Sequence, residues 1–369
     1  MKRILVAGDS HSAFWRGRNG VANKGTAFVG VDVLHIGPAT AHMLFVNGEP
    51  HRRNAVPLTT KLKADVGKYA ALVLCFGEID CRVHVVKSAL SNKISIDQAV
   101  DLTIARYMEF IDWIKSNWEI PIVLWGPPPS TPETGKISFN PRLPAIGSMY
   151  ERNYAAFCFT EALKREAAKR LSVEVASIFE ECVDSSGATV ESALCDGCHL
   201  DVRMMRHAIP ALLDAIERLG LGCMSGNFAR HWPVLETARV RNVAASLVPK
   251  VSSWAIPSTD QRRAELPDSV VGKPVIRTSS ENKPWVLLDL AAGYFVKKIE
   301  LLDSQGKEIH DTDIIIEQSL DKISFLPASN ENLENPTRFI RIQLGREGRL
   351  EFGTIRVLAP KFEVRFQDE

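Results

Sequence analysis

The chain has 369 residues, enough for two domains, and its 45% hydrophobic and 24% charged content excludes disorder over the whole length. Lys+Arg at 45 against Asp+Glu at 44 leaves a net charge of +1, so neither nucleic acid nor an anionic membrane is expected as a partner held by bulk charge. No apolar run is long enough to span a bilayer, residues 4–7 are too short for the core of a signal peptide, and seven cysteines without such a signal predict reduced thiols and a cytoplasmic location.

The first half alternates two kinds of segment. Residues 4–7, 31–36, 70–76 and 120–125 are short apolar runs, each stopped by glycine or proline, which predicts strands buried on both faces. Helical periodicity lies between and after them, over residues 96–118, 149–171 and 204–219. In the first of these the apolar positions are Ala99, Leu102, Ile104, Tyr107, Phe110, Ile111 and Ile114. Strands alternating with helices predict an α/β domain with a parallel sheet. Ligands of such sheets bind beyond the carboxyl ends of the strands, so the loops after the strands are where chemistry is expected.

From about Gly220 the helical pattern fades. Strand-like pieces follow at residues 285–290, 295–302, 313–318, 338–344 and 353–357, separated by turn-rich stretches such as Asp303-Ser304-Gln305-Gly306 and Ser329-Asn330-Glu331-Asn332. In residues 338–344, Ile342 and Leu344 alternate with Arg341 and Gln343, the signature of an antiparallel β-sandwich. The expected domains are 1–225 and 226–369, with a linker near residues 220–235.

Ser10 directly follows the first strand, at the start of the next helix, where backbone N–H groups can receive a developing oxyanion. A serine needs a base to become a nucleophile. His199 is the candidate base, and Asp196, three residues earlier, is the candidate group that orients its ring. Gly197 permits the turn that lets one loop hold both. Simpler readings stand beside these: Ser10 as a helix N-cap and His199 as a surface loop histidine. Cys195-x-x-Cys198-His199 also spells a c-type haem attachment sequence, half of a zinc site, or a redox-active dithiol whose oxidation would disturb the base loop. His11, His35 and His42 are placed at most in the lining of the cleft, Trp113 and Trp118 in helix packing, and the proline run at 127–129 in a stiffened loop. No metal or organic cofactor is called for.

Residues 1–220 resemble the SGNH/GDSL hydrolases. Gly8-Asp9-Ser10 matches the nucleophile block, Gly37 the glycine block, Gly77-Glu78-Ile79-Asp80 the Gly-x-Asn-Asp block, and Asp196-x-x-His199 the last block. The resemblance implies a flavodoxin-like three-layer fold and a Ser10–His199–Asp196 triad. It also implies oxyanion donors from the amides of Ser10 and Gly37, a substrate region including Asp9, Gly77 and Asp80, and ester hydrolysis or O-acyl transfer on carbohydrates. One departure is plain: Ile79 stands where the family has an oxyanion-donating Asn, a loss worth about 10²–10³ in rate. Arg82 either replaces that donor, clamps an anionic donor such as acyl-CoA, or pairs with Glu78 or Asp80. The Gly-Glu-Ile-Asp-Cys-Arg loop is similar to loops in SGNH-like proteins linked to glycan biosynthesis.

Residues 235–360 resemble the discoidin, or coagulation-factor type C, domain, on the strength of Asn242-Val243-Ala244, Pro284-Trp285, Asp289-Leu290 and Arg338-Phe339-Ile340-Arg341-Ile342. That implies a galactose-binding-like jelly-roll sandwich, with a glycan or an acylated small molecule as the partner of the whole chain. Trp285 itself is read as a core residue.

Overall fold

The computed structural model describes residues 2–17, 28–132, 144–222, 240–244, 247, 249–252, 276–294, 296–319, 322–329, 337–360 and 362–363. The chain divides into two compact units, Met1–Trp232 with Glu363–Glu369, and Pro233–Phe362. The expected boundary at Gly226, most of the expected linker, Phe295 and the Asn330–Asn332 part of one turn lie outside the described residues.

The first unit is built on five parallel strands: β1 (Arg3–Gly8), β2 (Val31–His35), β3 (Tyr69–Cys75), β4 (Ile122–Trp125) and β5 (Val173–Ala176), in the order β2-β1-β3-β4-β5. That order is the flavodoxin-like one, with its switch point at β1, where neighbouring crossovers leave in opposite directions and open a crevice. β3 and β4 are buried along their whole length, as their unbroken apolar runs require. β5 has no counterpart among the expected strands. Its Val173 and Val175 alternate with Glu174, too short a pattern to stand out in sequence.

The helices are α1 (Val56–Asp65), α2 (Val86–Asn92), α3 (Ile96–Asn117), α4 (Met149–Ala167) and α5 (Met205–Arg218). α1 and α2 escape the periodicity reading because they are short. α3 starts where Ser95 caps the Gln98 N–H and the Gln98 side chain returns to the Ser95 N–H; α4 repeats the device with Ser148 and Glu151. α3 buries Ala99, Val100, Ile104, Tyr107, Met108, Phe110, Ile111 and Ile114. Each fully buried large side chain among these contributes roughly 1.5–3 kcal/mol. Leu102 is the correction: expected on the apolar face, it is 62% exposed, because it falls out of phase with the 3–4 spacing of the buried set.

The second unit is antiparallel. Its strands are β6 (Val240–Asn242), β7 (Lys250–Val251), β8 (Trp285–Tyr294), β9 (Lys298–Leu302), β10 (Ile314–Ser319), β11 (Leu326–Ala328), β12 (Thr337–Leu344) and β13 (Thr354–Pro360). They form two main sheets, β7-β8-β12-β10-β11 and β9-β13-β6. Register places Val286 against Ile342 and Leu288 against Ile340, all four fully buried, so the alternation read in sequence is the inward face of the larger sheet.

Candidate active site

Three glycine-bearing loops leave the carboxyl ends of β1, β2 and β3, on both sides of the switch point. After β1, Asp9 ends the strand and caps a short 3₁₀ helix over Ser10–Arg16. Its carboxylate accepts from the His11 N–H at 2.8 Å, and its carbonyl accepts from the Ser12 hydroxyl at 2.7 Å. The cap therefore falls to Asp9, which leaves the Ser10 hydroxyl available for other contacts. Asp9 itself is wholly buried, and burial pushes its carboxyl well above the usual range. Through these bonds it shapes the turn that carries Ser10.

Ser10 meets the far end of the same unit. Its Oγ lies 2.8 Å from His199 Nε2, and His199 Nδ1 lies 2.7 Å from Asp196 Oδ2. In the tautomer with the proton on Nδ1, the ring donates to Asp196 and accepts from Ser10. The loop of Asp196–His199 is held by one side chain. Asp196 Oδ1 accepts from the backbone N–H of Cys198 at 3.0 Å and of His199 at 2.8 Å, while Oδ2 takes the ring. Gly197, at φ +80°, makes the turn between them. The loop closes with the Cys195 N–H donating to the His199 carbonyl at 2.8 Å. Burial opposes charge on Asp196, but the hydrogen bonds from His199 and Cys198 outweigh it and hold the carboxyl at about 2.

Gly37 follows β2 with φ +97°, and nothing stands within 4 Å of where a side chain would begin. The loop beyond it is pinned by Asp80. That carboxylate is fully buried and accepts from the Ala41 N–H at 2.6 Å, the His42 N–H at 3.3 Å and the His42 ring at 2.6 Å. Asp80 thus links the loops after β2 and β3. Gly77 is at φ +117°, and a side chain there would collide with the Phe159 ring at 2.7 Å. Ile79 is 2% exposed, among the buried apolar residues of the unit.

Glu78, Arg82 and His11 form a buried chain of charge that sequence reasoning saw only in part. Arg82 Nε donates to Glu78 Oε1 at 2.6 Å and its terminal nitrogen to Oε2 at 3.2 Å, a two-pronged pair four residues apart on one helical turn. Of the readings for Arg82, the structure places its guanidinium on Glu78, 5% exposed. His11 Nε2 lies 3.2 Å from Glu78 Oε2, and the His11 ring packs on the His199 ring, centroids 4.7 Å apart. Burial opposes charge on Glu78, yet its contacts with His11 and Arg82 hold it well below the usual carboxylate range; burial in turn pulls His11 toward the neutral form despite Glu78. The Glu78–Arg82 spacing of four was a legible signal. Nothing in the sequence signals the His11–His199 contact, which depends on chain 188 residues away closing over the first loop. Cys198 completes the cluster, its Sγ 3.9 Å from His11 Nε2 and 3.8 Å from Glu78 Oε1.

In the second unit, a cavity of about 350 Å³ is lined by Ile299, Leu301, Ile314 and Ile316 together with Glu308 and Asp311. No helix among the described residues is long and apolar enough to cross a membrane.

No family model and no curated protein matches the chain. Among solved structures, it is similar to a Streptococcus pneumoniae protein provisionally named a platelet activating factor, at 16% identity and TM-score 0.35, over 59% of this chain and 83% of that one. It is also similar to the lectin binding domain of lectinolysin in complex with Lewis b, at 13% identity and TM-score 0.25, over 33% of this chain and 98% of that one. A fucose binding module from Streptococcus pneumoniae gives 13% identity and TM-score 0.25, over 32% of this chain and 95% of that one. Likeness at these scores assigns neither family nor ligand to the chain.

Proposed function

We propose that the protein is a serine esterase or O-acyltransferase of the SGNH/GDSL type, acting on an acyl ester of a glycan or glycoconjugate. The observation that carries this reading is the unbroken chain Ser10–His199–Asp196, at 2.8 Å and 2.7 Å. Ser10 Oγ attacks the acyl carbonyl as His199 Nε2 takes its proton. The oxyanion is received by the amides of Ser10 and Gly37. His199 returns the proton to the leaving oxygen, and Asp196 steadies the imidazolium. Water, or a sugar hydroxyl in the transferase version, then releases the acyl group by the same steps in reverse. The glycan as substrate class follows from the sequence resemblance of residues 235–360 to discoidin sandwiches. The test is labelling by a serine-directed fluorophosphonate with p-nitrophenyl acetate turnover. Wild type reacts in both and Ser10→Ala in neither; a wild type inert in both overturns the reading.

A second reading is a glycan-binding or assembly protein with little turnover, and Ile79 favours it. An apolar, buried side chain at the position of the third oxyanion donor costs about 10²–10³ in rate when nothing substitutes for it. Wild-type protein that retains a glycan on an array but resists the fluorophosphonate is the outcome that selects this reading.

A further inference from the structure

The geometry points to a binding site for one thiophilic divalent cation, of the zinc class, formed by His11, Cys198 and His199 with Glu78 beside them, which disables Ser10 when filled. The inhibitory half of this inference rests on the esterase reading; the binding half does not.

The ligand atoms of His11, Cys198 and His199 lie within 4.8 Å of one another. A tetrahedral zinc site, with Zn–S of about 2.3 Å and Zn–N of about 2.0–2.1 Å, sets sulfur and nitrogen ligands about 3.6 Å apart. Cys198 Sγ and His11 Nε2 stand at 3.9 Å. Glu78 offers a fourth ligand, with Oε2 3.2 Å from His11 Nε2 and Oε1 3.8 Å from Cys198 Sγ. Two imidazoles, one thiol and one carboxylate are a donor set suited to zinc or cobalt and poorly suited to magnesium or calcium, which take oxygen ligands.

The surrounding groups serve a metal as well as a base. His199 presents Nε2 because Asp196 holds Nδ1, the carboxylate–histidine pairing that orients metal-bound imidazoles. His11 Nδ1 and Asp9 Oδ2 are both buried without a hydrogen-bond partner among the described residues, and both residues line one small cavity. When a cation takes His11 Nε2, the ring proton moves to Nδ1, which is not engaged by any hydrogen bond among the described residues. The Cys198 thiol gives its proton to solvent on binding. Thiolate and Glu78 carboxylate together balance a dication, with Arg82 still paired to the Glu78 carboxylate. With its Nε2 occupied, His199 cannot accept the Ser10 proton.

Metal-free full-length protein titrated with Co²⁺ alone is the direct test. Wild type is expected to show the thiolate-to-cobalt charge-transfer band and the intense visible bands of four-coordinate cobalt, and Zn²⁺ is expected to bleach them. Cys198→Ser, which keeps the size of the side chain, loses the charge-transfer band; Asp196→Asn weakens cobalt affinity by about 10–100-fold. Absence of the bands in wild type, or their persistence in Cys198→Ser, overturns the site. In parallel, saturating Zn²⁺ is expected to lower fluorophosphonate labelling of wild type at least tenfold, and to leave labelling of Cys198→Ser within about twofold of its metal-free rate. Cobalt bands with zinc-insensitive labelling overturn the inhibitory role. Cobalt bands in a protein that never labels support the metal site and sink the esterase reading instead.

Discussion

The two units handle charge in opposite ways. In the parallel-sheet unit, Asp9, His11, Glu78, Asp80 and Arg82 are all buried under the loops at the carboxyl edge. In the antiparallel unit several ion pairs are far more exposed: Arg346 and Asp313 are each about half exposed and Arg277 and Glu351 somewhat less, although Arg338 is buried against a half-exposed Asp289. Surface pairs add little to stability, whereas burying an ion such as Glu78 or Arg82 costs several kcal/mol before any partner is counted. A fold accumulates such a cost only where the buried groups fix a geometry, and here they fix the loops that bring Ser10 and His199 together. On the proposed reading, turnover belongs to the unit whose polar groups are buried and mutually bonded.

The strongest break in that comparison is chemical. His199→Ala is expected to lower the fluorophosphonate reaction rate by about 10⁴ or more, and Asp196→Asn by about 10⁴, since the amide leaves the wrong ring tautomer facing Ser10. Both residues belong to the first unit, so on the proposed reading glycan retention on an array stays at the wild-type level. Loss of retention together with rate would show that the division of labour is wrong.

The next break is in stability. Glu78→Gln leaves Arg82 buried against a neutral partner and is expected to cost about 3–5 kcal/mol in denaturant unfolding of the first unit. Asp313→Asn removes one partner of the Arg346 pair in the second unit and is expected to cost less than about 1 kcal/mol. Replacing Glu78 and Arg82 together by methionine should recover most of the loss, because no unpaired charge remains. Equal effects of Glu78→Gln and Asp313→Asn would erase the distinction between the units.

Much of this was legible in sequence where one local rule decides the outcome. Unbroken apolar runs stopped by glycine placed β1, β3 and β4, and the alternation in β12 placed the sandwich core. The turn at Gly197 and the spacing of Asp196 from His199 predicted a loop able to hold both, and that loop is present. What was not legible needed tertiary closure. Asp9 reads as part of a functional block, yet it is wholly buried and one of its carboxylate oxygens caps the 3₁₀ helix. His11 reads as a bystander because neighbours on a helix start diverge, yet its ring lies on His199. Leu102 fits an apolar tally and is exposed, because a tally of residues ignores phase around the helix.

The smallest effect separates local helix chemistry from the buried site. In the α4 capping box the Glu151 carboxylate accepts from the Ser148 N–H at 2.7 Å and from its hydroxyl at 2.8 Å. Those bonds, backbone first, hold the Glu151 carboxyl below its ordinary value. A carboxyl depressed in the folded state contributes stability that is present above its unfolded pKa and lost as pH falls through the folded one. The contribution of Glu151 should therefore be intact at neutral pH and fade below about pH 4.3, the ordinary glutamate value. Ser148→Ala is expected to cost about 1 kcal/mol at pH 7. Glu151→Gln should flatten the acid limb of the stability curve slightly. Both variants should label with fluorophosphonate at the wild-type rate, since α4 carries no group of the Ser10–His199–Asp196 chain. A rate change without a stability change would mean that α4 positions the site, and the boundary drawn here between scaffold and chemistry would have to move.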